Sequence, residues 1–266
     1  MAIATTASGA SIAWDSFGDE ALPPLLLIQG FTAQMVGWRP GFCQRLADEG
    51  FRVIRFDNRD VGERVAALID ALGLRSAHIV GQSMGGMVAQ SLVERHPQRV
   101  RSLGLIYTAG SDRHLVGRDD IEGRMAMTVP RSREEYIPYY VEQEAACSSP
   151  AYPQDIAWLT ELGGQAWDRG WDAEGTQRQM PAVLGFVMQD RTAALRAIRV
   201  PTAILAGDGD QLIGSAASAE LHELIAGSSL RIFPGMGHEL PPPLWDEIAG
   251  LLAANARLAE ASARGQ

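Results

Sequence analysis

A chain of 266 residues, 46% apolar and 21% charged, can bury a sizeable core in one or two domains, which excludes a disordered or fibrous protein. Its 23 basic against 32 acidic side chains, a net charge of −9, count against a nucleic-acid partner, because phosphate contacts need concentrated Lys and Arg. Cys43 and Cys147 are too few for a disulfide framework and lack the Cys-x-x-Cys spacing of a metal site, so two partly buried free thiols are expected. Residues 1–10 hold no basic residue and no apolar run, so no signal peptide is expected. The apolar run 25–28 is far too short to cross a bilayer, and the expected setting is cytoplasmic and off the membrane.

In chain order, residues 11–17 alternate in the manner of an antiparallel edge strand. Residues 25–28, 53–56, 78–80, 103–107, 202–205 and 230–233 are short continuous apolar runs, the pattern of strands buried on both faces of a parallel sheet. Helical patterns separate them. Phe42, Leu46 and Ala47 share one face of a segment stopped by Gly50, and Val65, Leu68, Ile69 and Leu72 share one face of a segment ended by Gly73. Residues 87–95 form a helix that stops before Pro97, and 244–259 form the last one. Strands alternating with helices predict an α/β fold with a mostly parallel sheet flanked by helices. The rhythm breaks over 110–197, which offers helical pieces at 136–144, 156–162 and 175–184 and no convincing strand. The expected organisation is a core of 1–109 and 198–266 with a helical cap inserted at 110–197.

Run 78–80 leads into Gly81-Gln82-Ser83-Met84-Gly85 and then a helix. A sharp strand-to-helix turn lifts the serine hydroxyl over the sheet edge, and the strain it imposes requires very small residues two positions away on either side. A serine hydroxyl needs a base. Of the five histidines, His78 opens a strand at the wrong end, His96 closes a helix, His114 lies in a polar loop and His222 on a helix surface. His238 follows the last strand, where a doubly wound sheet assembles its site. The acid should leave the preceding strand through Gly207-Asp208-Gly209-Asp210. Asp210 lies further out and is favoured, and Asp208 between two glycines reads as a turn residue. The order Ser83, Asp210, His238 predicts a catalytic triad. The oxyanion of a tetrahedral intermediate would be met by the backbone N–H groups of Met84 and Phe31, with Gly30 leaving room for the turn.

Gly30-Phe31 after a strand, Asp57-Asn58-Arg59, Gly81-x-Ser83-x-Gly85-Gly86, Gly207-x-x-Asp210 and Gly237-His238, in that order, resemble the α/β-hydrolase superfamily over nearly the whole chain. Arg45-Leu46-Ala47, the run from Phe56 to Gly62 and the run from Gly235 to Pro241 are similar to small bacterial esterases related to the aclacinomycin methylesterases. That resemblance implies hydrolysis of a small-molecule ester beneath a helical cap, with no cofactor and no metal. Three departures stand out. Gln29 replaces the histidine usual before the oxyanion glycine, Gln211 replaces the proline common after the acid, and the connection from Gly62 to Ser83 is short, which would leave the pocket more open.

The expected function is hydrolysis of small to medium acyl esters or lactones. C–C bond hydrolysis and cofactor-free perhydrolysis are alternatives on the same triad, and a non-catalytic ligand-binding role is a third class. Serine at the elbow counts against a haloalkane dehalogenase. A C–C hydrolase should offer a cationic pocket, for which Arg113, Arg118, Arg124, Arg131 and Arg133 are candidates beside their plainer reading as solvated surface groups. Tyr139, Tyr140, Trp158, Trp167 and Trp171 either line an acyl pocket or pack the cap on the core. Acyl preference and homo-oligomer formation are left open.

Overall fold

The computed structural model describes residues 1–57, 63–116 and 130–264. Its strands are β1 (Ala2–Thr5), β2 (Ser11–Phe17), β3 (Pro24–Ile28), β4 (Arg52–Phe56), β5 (Ala77–Gln82), β6 (Val100–Ile106), β7 (Thr202–Gly207) and β8 (Ser229–Phe233). They form one sheet in the order β1-β2-β4-β3-β5-β6-β7-β8. The pairings among β3 to β8 are parallel, while β2 runs antiparallel to β4, with Trp14 opposite Phe56. All the apolar runs read from the sequence are strands. The edge, however, is β1 rather than β2, because Ala2–Thr5 pairs on the outer side of β2. Only Ala4 of that strand is buried and Ile3 is exposed, so it carries no hydrophobic pattern to announce it.

Helices cover both faces: α1 (Pro40–Asp48), α2 (Glu63–Ala71), α3 (Met84–Arg95), α4 (Arg133–Ala145), α5 (Ile156–Asp168), α6 (Ala173–Val187), α7 (Thr192–Ala197), α8 (Ser215–Leu224) and α9 (Trp245–Arg264). Successive strand residues point to opposite faces, so a strand covered on both sides must be apolar at every position. In β3, Leu26 and Ile28 face a core made with Val65 and Leu68 of α2 and Val88 and Leu92 of α3. Leu25 and Leu27 face the other core, with Phe42 and Leu46 of α1 and Ile248 and Leu252 of α9. Each such fully buried side chain contributes about 1.5–3 kcal/mol.

Between β6 and β7 the described residues form helices and no strand beyond isolated bridges. Ser132 caps α4 by accepting from the Glu135 N–H, Asp155 caps α5 by accepting from Trp158, and Asp172 caps α6 by accepting from Glu174 and Gly175. The caps start α4 and α6 ahead of the segments legible in the sequence, whereas α5 starts at 156 as expected and runs on to Asp168. Among the described residues no helix is long and apolar enough to cross a membrane.

Register decides where the chemistry can sit. Ile28 is level with Gly81, Gln82 with Ile106, Ile106 with Leu205, and Gly207 with Phe233. The carboxyl ends of β3, β5, β6, β7 and β8 therefore finish along one edge, and the residues that follow them converge.

Candidate active site

Ser83 leaves β5 with φ 54° and ψ −125°, a conformation that costs an L-residue about 1–3 kcal/mol. Its surroundings allow little else. Its N–H donates to the Ile106 carbonyl at 2.9 Å, and its own carbonyl accepts from the Gly86 N–H at 2.9 Å and from Thr108 Oγ1 at 2.7 Å. A methyl group at Gly81 would collide with the Gly85 carbonyl, and one at Gly85 with that of Ile28. Helix α3 begins at Met84, three residues before the predicted start, because Gly85 and Gly86 make the first turn read as loop. Its first two backbone N–H groups, those of Met84 and Gly85, precede the intrahelical ladder and lie immediately beside the serine.

His238 Nδ1 lies 2.7 Å from Asp210 Oδ2, and neither side chain is more than 8% exposed. The other carboxylate oxygen of Asp210 accepts from the backbone N–H groups of Leu212 (2.8 Å) and Ile213 (2.9 Å), which fixes its orientation. A carboxylate only accepts, so Nδ1 carries the proton and Nε2 is left as an acceptor. The His238 N–H donates to the Cys147 carbonyl at 2.9 Å, and the Gly237 N–H to Ser149 Oγ at 2.9 Å. Asp208 instead accepts from the Gly235 N–H at 2.6 Å, joining the two turns.

The other four histidines lie elsewhere, none of them on the cavity wall. His78 is buried between Ser102 Oγ (2.9 Å) and Glu260 (3.1 Å), and burial pushes its pKa down to about 4. His96 is 3.5 Å from Glu63, and His222 bonds Ser228. The His114 carbonyl accepts from the Gly214 N–H.

Ser83, His238 and Phe31 line one cavity of about 520 Å³. The Gly30 N–H is bound by the Gln29 side chain at 2.9 Å, and Phe31 follows it. Tyr139, Tyr140, Trp158 and Trp171 are on the wall, whereas Trp167 stacks behind Trp171 with ring centroids 6.2 Å apart. Trp38, Phe42, Tyr107, Tyr136 and Trp245 join them. Nothing in the sequence marks these five as cavity residues beyond Tyr107 closing a strand that ends at this edge. Arg39 lines the cavity 3.2 Å from Asp155, with its guanidinium 3.6 Å above the Trp158 ring. Glu144 and Glu239 also line it, and burial raises the Glu144 carboxyl above the usual range, with a Tyr140 hydrogen bond opposing that shift. Burial likewise raises the Cys147 thiol on the same wall, which keeps it protonated and a poor nucleophile.

The arginines considered for a cationic pocket do not line the cavity where they are described: Arg113 pairs with Glu220 at 3.1 Å, Arg133 with Asp168 at 2.9 Å, and Arg131 is exposed. Arg118 and Arg124 lie outside the described residues, as do Asn58 to Gly62 and so the start of the short connection to Ser83. Asp57 is described. It accepts from Arg169 at 2.6 Å and from the Met35 N–H at 3.0 Å, tying the inserted helices to the sheet. Among the described residues no three His, Cys, Asp or Glu side chains gather as metal ligands would.

Residues 23–241 match the family model described as alpha/beta hydrolase fold. Rhodomycin D methylesterase DauP of Streptomyces sp. (strain C5) is 25% identical, over 92% of this chain and 94% of its own length. The 2-hydroxymuconate semialdehyde hydrolase of Pseudomonas sp. (strain CF600) is 31% identical over 74% of this chain and 66% of its own. Among solved structures, a membrane phospholipase A aligns with a TM-score of 0.76 at 24% identity, over 97% of this chain and 86% of that one, a likeness of fold.

Proposed function

The chain belongs to the α/β-hydrolase fold family, and from that premise we propose that it cleaves carboxylic esters through an acyl-enzyme on Ser83. The observation that carries this reading is the buried Asp210–His238 pair, whose histidine lines the cavity that also holds Ser83. Ser83 Oγ attacks the ester carbonyl carbon while His238 Nε2 takes its proton. Asp210 stays ionised and stabilises the imidazolium. The N–H groups of Phe31 and Met84 receive the oxyanion, each contributing roughly 3–4 kcal/mol. The intermediate collapses with cleavage of the ester C–O bond, and the imidazolium protonates the departing alkoxide. Water, deprotonated by His238, then attacks the acyl-enzyme, which releases the acid and restores Ser83.

A cavity of about 520 Å³ with a mostly apolar wall that includes many aromatic side chains suits an apolar ester of drug-like size. Its carboxyl groups favour an uncharged substrate over a carboxylate-bearing one such as a hydroxymuconate, because Glu144 and Glu239 face the cavity and Arg39 is already paired with Asp155. This supports ester over C–C hydrolysis. Wild type is expected to hydrolyse p-nitrophenyl acetate, butyrate and octanoate, and Ser83→Ala to lose at least about 10³ in kcat with its thermal midpoint unchanged. Turnover surviving in Ser83→Ala would remove the nucleophile from this scheme. Ligand-induced stabilisation of wild type without turnover would favour a binding protein.

A further inference from the structure

Three non-glycine residues described in the chain have positive φ: Thr32 (64°), Ser83 (54°) and Tyr107 (35°). They follow the neighbouring strands β3, β5 and β6, and all three line the cavity. Strain in adjacent turns persists only where surrounding bonds over-determine it. Here those bonds include a half-buried side-chain chain that crosses from turn to turn. Tyr107 Oη donates to Gln82 Oε1 at 2.6 Å, Gln82 Nε2 donates to Gln29 Oε1, and that same oxygen accepts the Gly30 N–H at 2.9 Å.

One backbone amide fixes the direction of the whole chain. The Gly30 N–H can only donate, so Gln29 must turn its oxygen to it. Gln82 must then offer its amino group to that oxygen and its own oxygen to Tyr107, whose hydroxyl must donate. The Gln29 amide is enclosed on its other side, since a methyl group at Gly37 would collide with its Nε2. At the far end, the Tyr107 ring packs on His238 with centroids 4.5 Å apart and planes tilted by 49°. Gly30 is so near the nucleophile that a Cβ there would lie 3.2 Å from that of Ser83.

We propose that Tyr107, Gln82 and Gln29 are positioning residues that hold the Phe31 N–H in register with Ser83 and His238. The inference rests on the serine-esterase reading above. The three residues act through a backbone amide that meets charge only in the transition state, so their contribution falls on kcat and leaves ground-state binding nearly untouched.

The test compares wild type with Tyr107→Phe, Gln82→Met, the double variant and Ser83→Ala. The readouts are kcat and KM on p-nitrophenyl butyrate, the affinity for a trifluoromethyl ketone whose serine adduct carries an oxyanion, and thermal midpoints. Each single variant is expected to lose about tenfold in kcat, a fraction of the loss on deleting an oxyanion donor outright. KM should stay within about twofold and ketone affinity should weaken by the same factor as kcat. The double variant should lose no more than the worse single one, since either break interrupts the same chain. If Tyr107→Phe and Gln82→Met keep wild-type kcat and ketone affinity while Ser83→Ala is inactive, the positioning role alone is overturned. A loss confined to KM or to the thermal midpoint overturns it in favour of substrate contact or packing. Ser83→Ala turning over like wild type overturns the esterase reading and this inference together.

Discussion

At the floor of the cavity, backbone hydrogen bonds and close backbone approach confine Ser83, whereas the roof rests on side chains: Arg39 against Asp155 and Trp158, Arg169 against Asp57, and Gln179 against the Thr32 N–H. The two regions differ in how much each contact is worth. Floor contacts involve buried amides and glycines with no room for a Cβ, so a single atom too many displaces Ser83. The Arg39–Asp155 pair is partly solvated, at 17% and 48% exposed, and a pair of that kind contributes about 0–1 kcal/mol. On the proposed esterase reading, rate rests on a part that tolerates no change, and substrate preference on a part that tolerates a good deal.

The strongest challenge to that division is Asp210→Asn. It should keep the fold, since an amide oxygen can still accept from Leu212 and Ile213, yet lower kcat about 10³–10⁴-fold by disturbing the His238 tautomer. A loss of tenfold or less in steady-state kinetics would mean the floor is less committed than its geometry suggests. Gly85→Ala attacks the same region through packing. The added methyl meets the Ile28 carbonyl, and urea denaturation should show a loss of about 3 kcal/mol.

His78 lies at the opposite end of β5 from Ser83 and separates stability from chemistry. Its folded pKa of about 4 lies below the ordinary 6.5 because burial penalises the charged ring. Between those values the unfolded chain binds a proton that the folded protein does not, so stability falls as pH drops through the window and levels off below it. The full effect is at most about 3 kcal/mol. His78→Gln should flatten this dependence, visible as denaturation midpoints of wild type and variant that diverge between pH 7 and pH 4.5, with kcat at pH 7 unaltered.

The smallest effect belongs to the roof. The Glu144 carboxyl is raised by burial, so it favours folding when protonated and that contribution is lost as pH rises through its folded pKa. Glu144→Gln should therefore gain more stability at pH 8 than at pH 5. It should also improve hydrolysis of p-nitrophenyl hemisuccinate relative to the butyrate by about tenfold. An unchanged ratio would show that the roof carboxyl does not screen substrate charge.

The floor was legible because its constraints are local in sequence. Continuous apolar runs mark strands covered on both faces, and Gly81-x-Ser83-x-Gly85 records a turn with no room for a Cβ. Asp210 and His238 follow β7 and β8, whose carboxyl ends finish along one edge. What escaped depends on tertiary contact. β1 shows no pattern because only one of its four residues is buried. Gln29 stands out in the sequence only as a departure from a usual histidine, and Gln82 only as the residue between Gly81 and Ser83, since their partnership spans 53 positions. The roof aromatics were undecided for the same reason: Trp167 and Trp171 share a helical region, yet only Trp171 reaches the wall.

One seam joins the two regions. The strand-end loop carrying His238 is bonded to the first part of the inserted helical region at four places: His238 N–H to Cys147, Gly237 N–H to Ser149, Ala151 N–H to Gly235 and Ser149 N–H to Glu239. A methyl group at Gly237 would strike the Ser148 carbonyl, so the two backbones run in contact. The insertion is thus not a detachable module. A chimera cut at residues 110 and 197 would carry off the wall against which the histidine is braced, whereas a graft that leaves residues 147–152 with the recipient could exchange the aromatic helices and keep His238 in place.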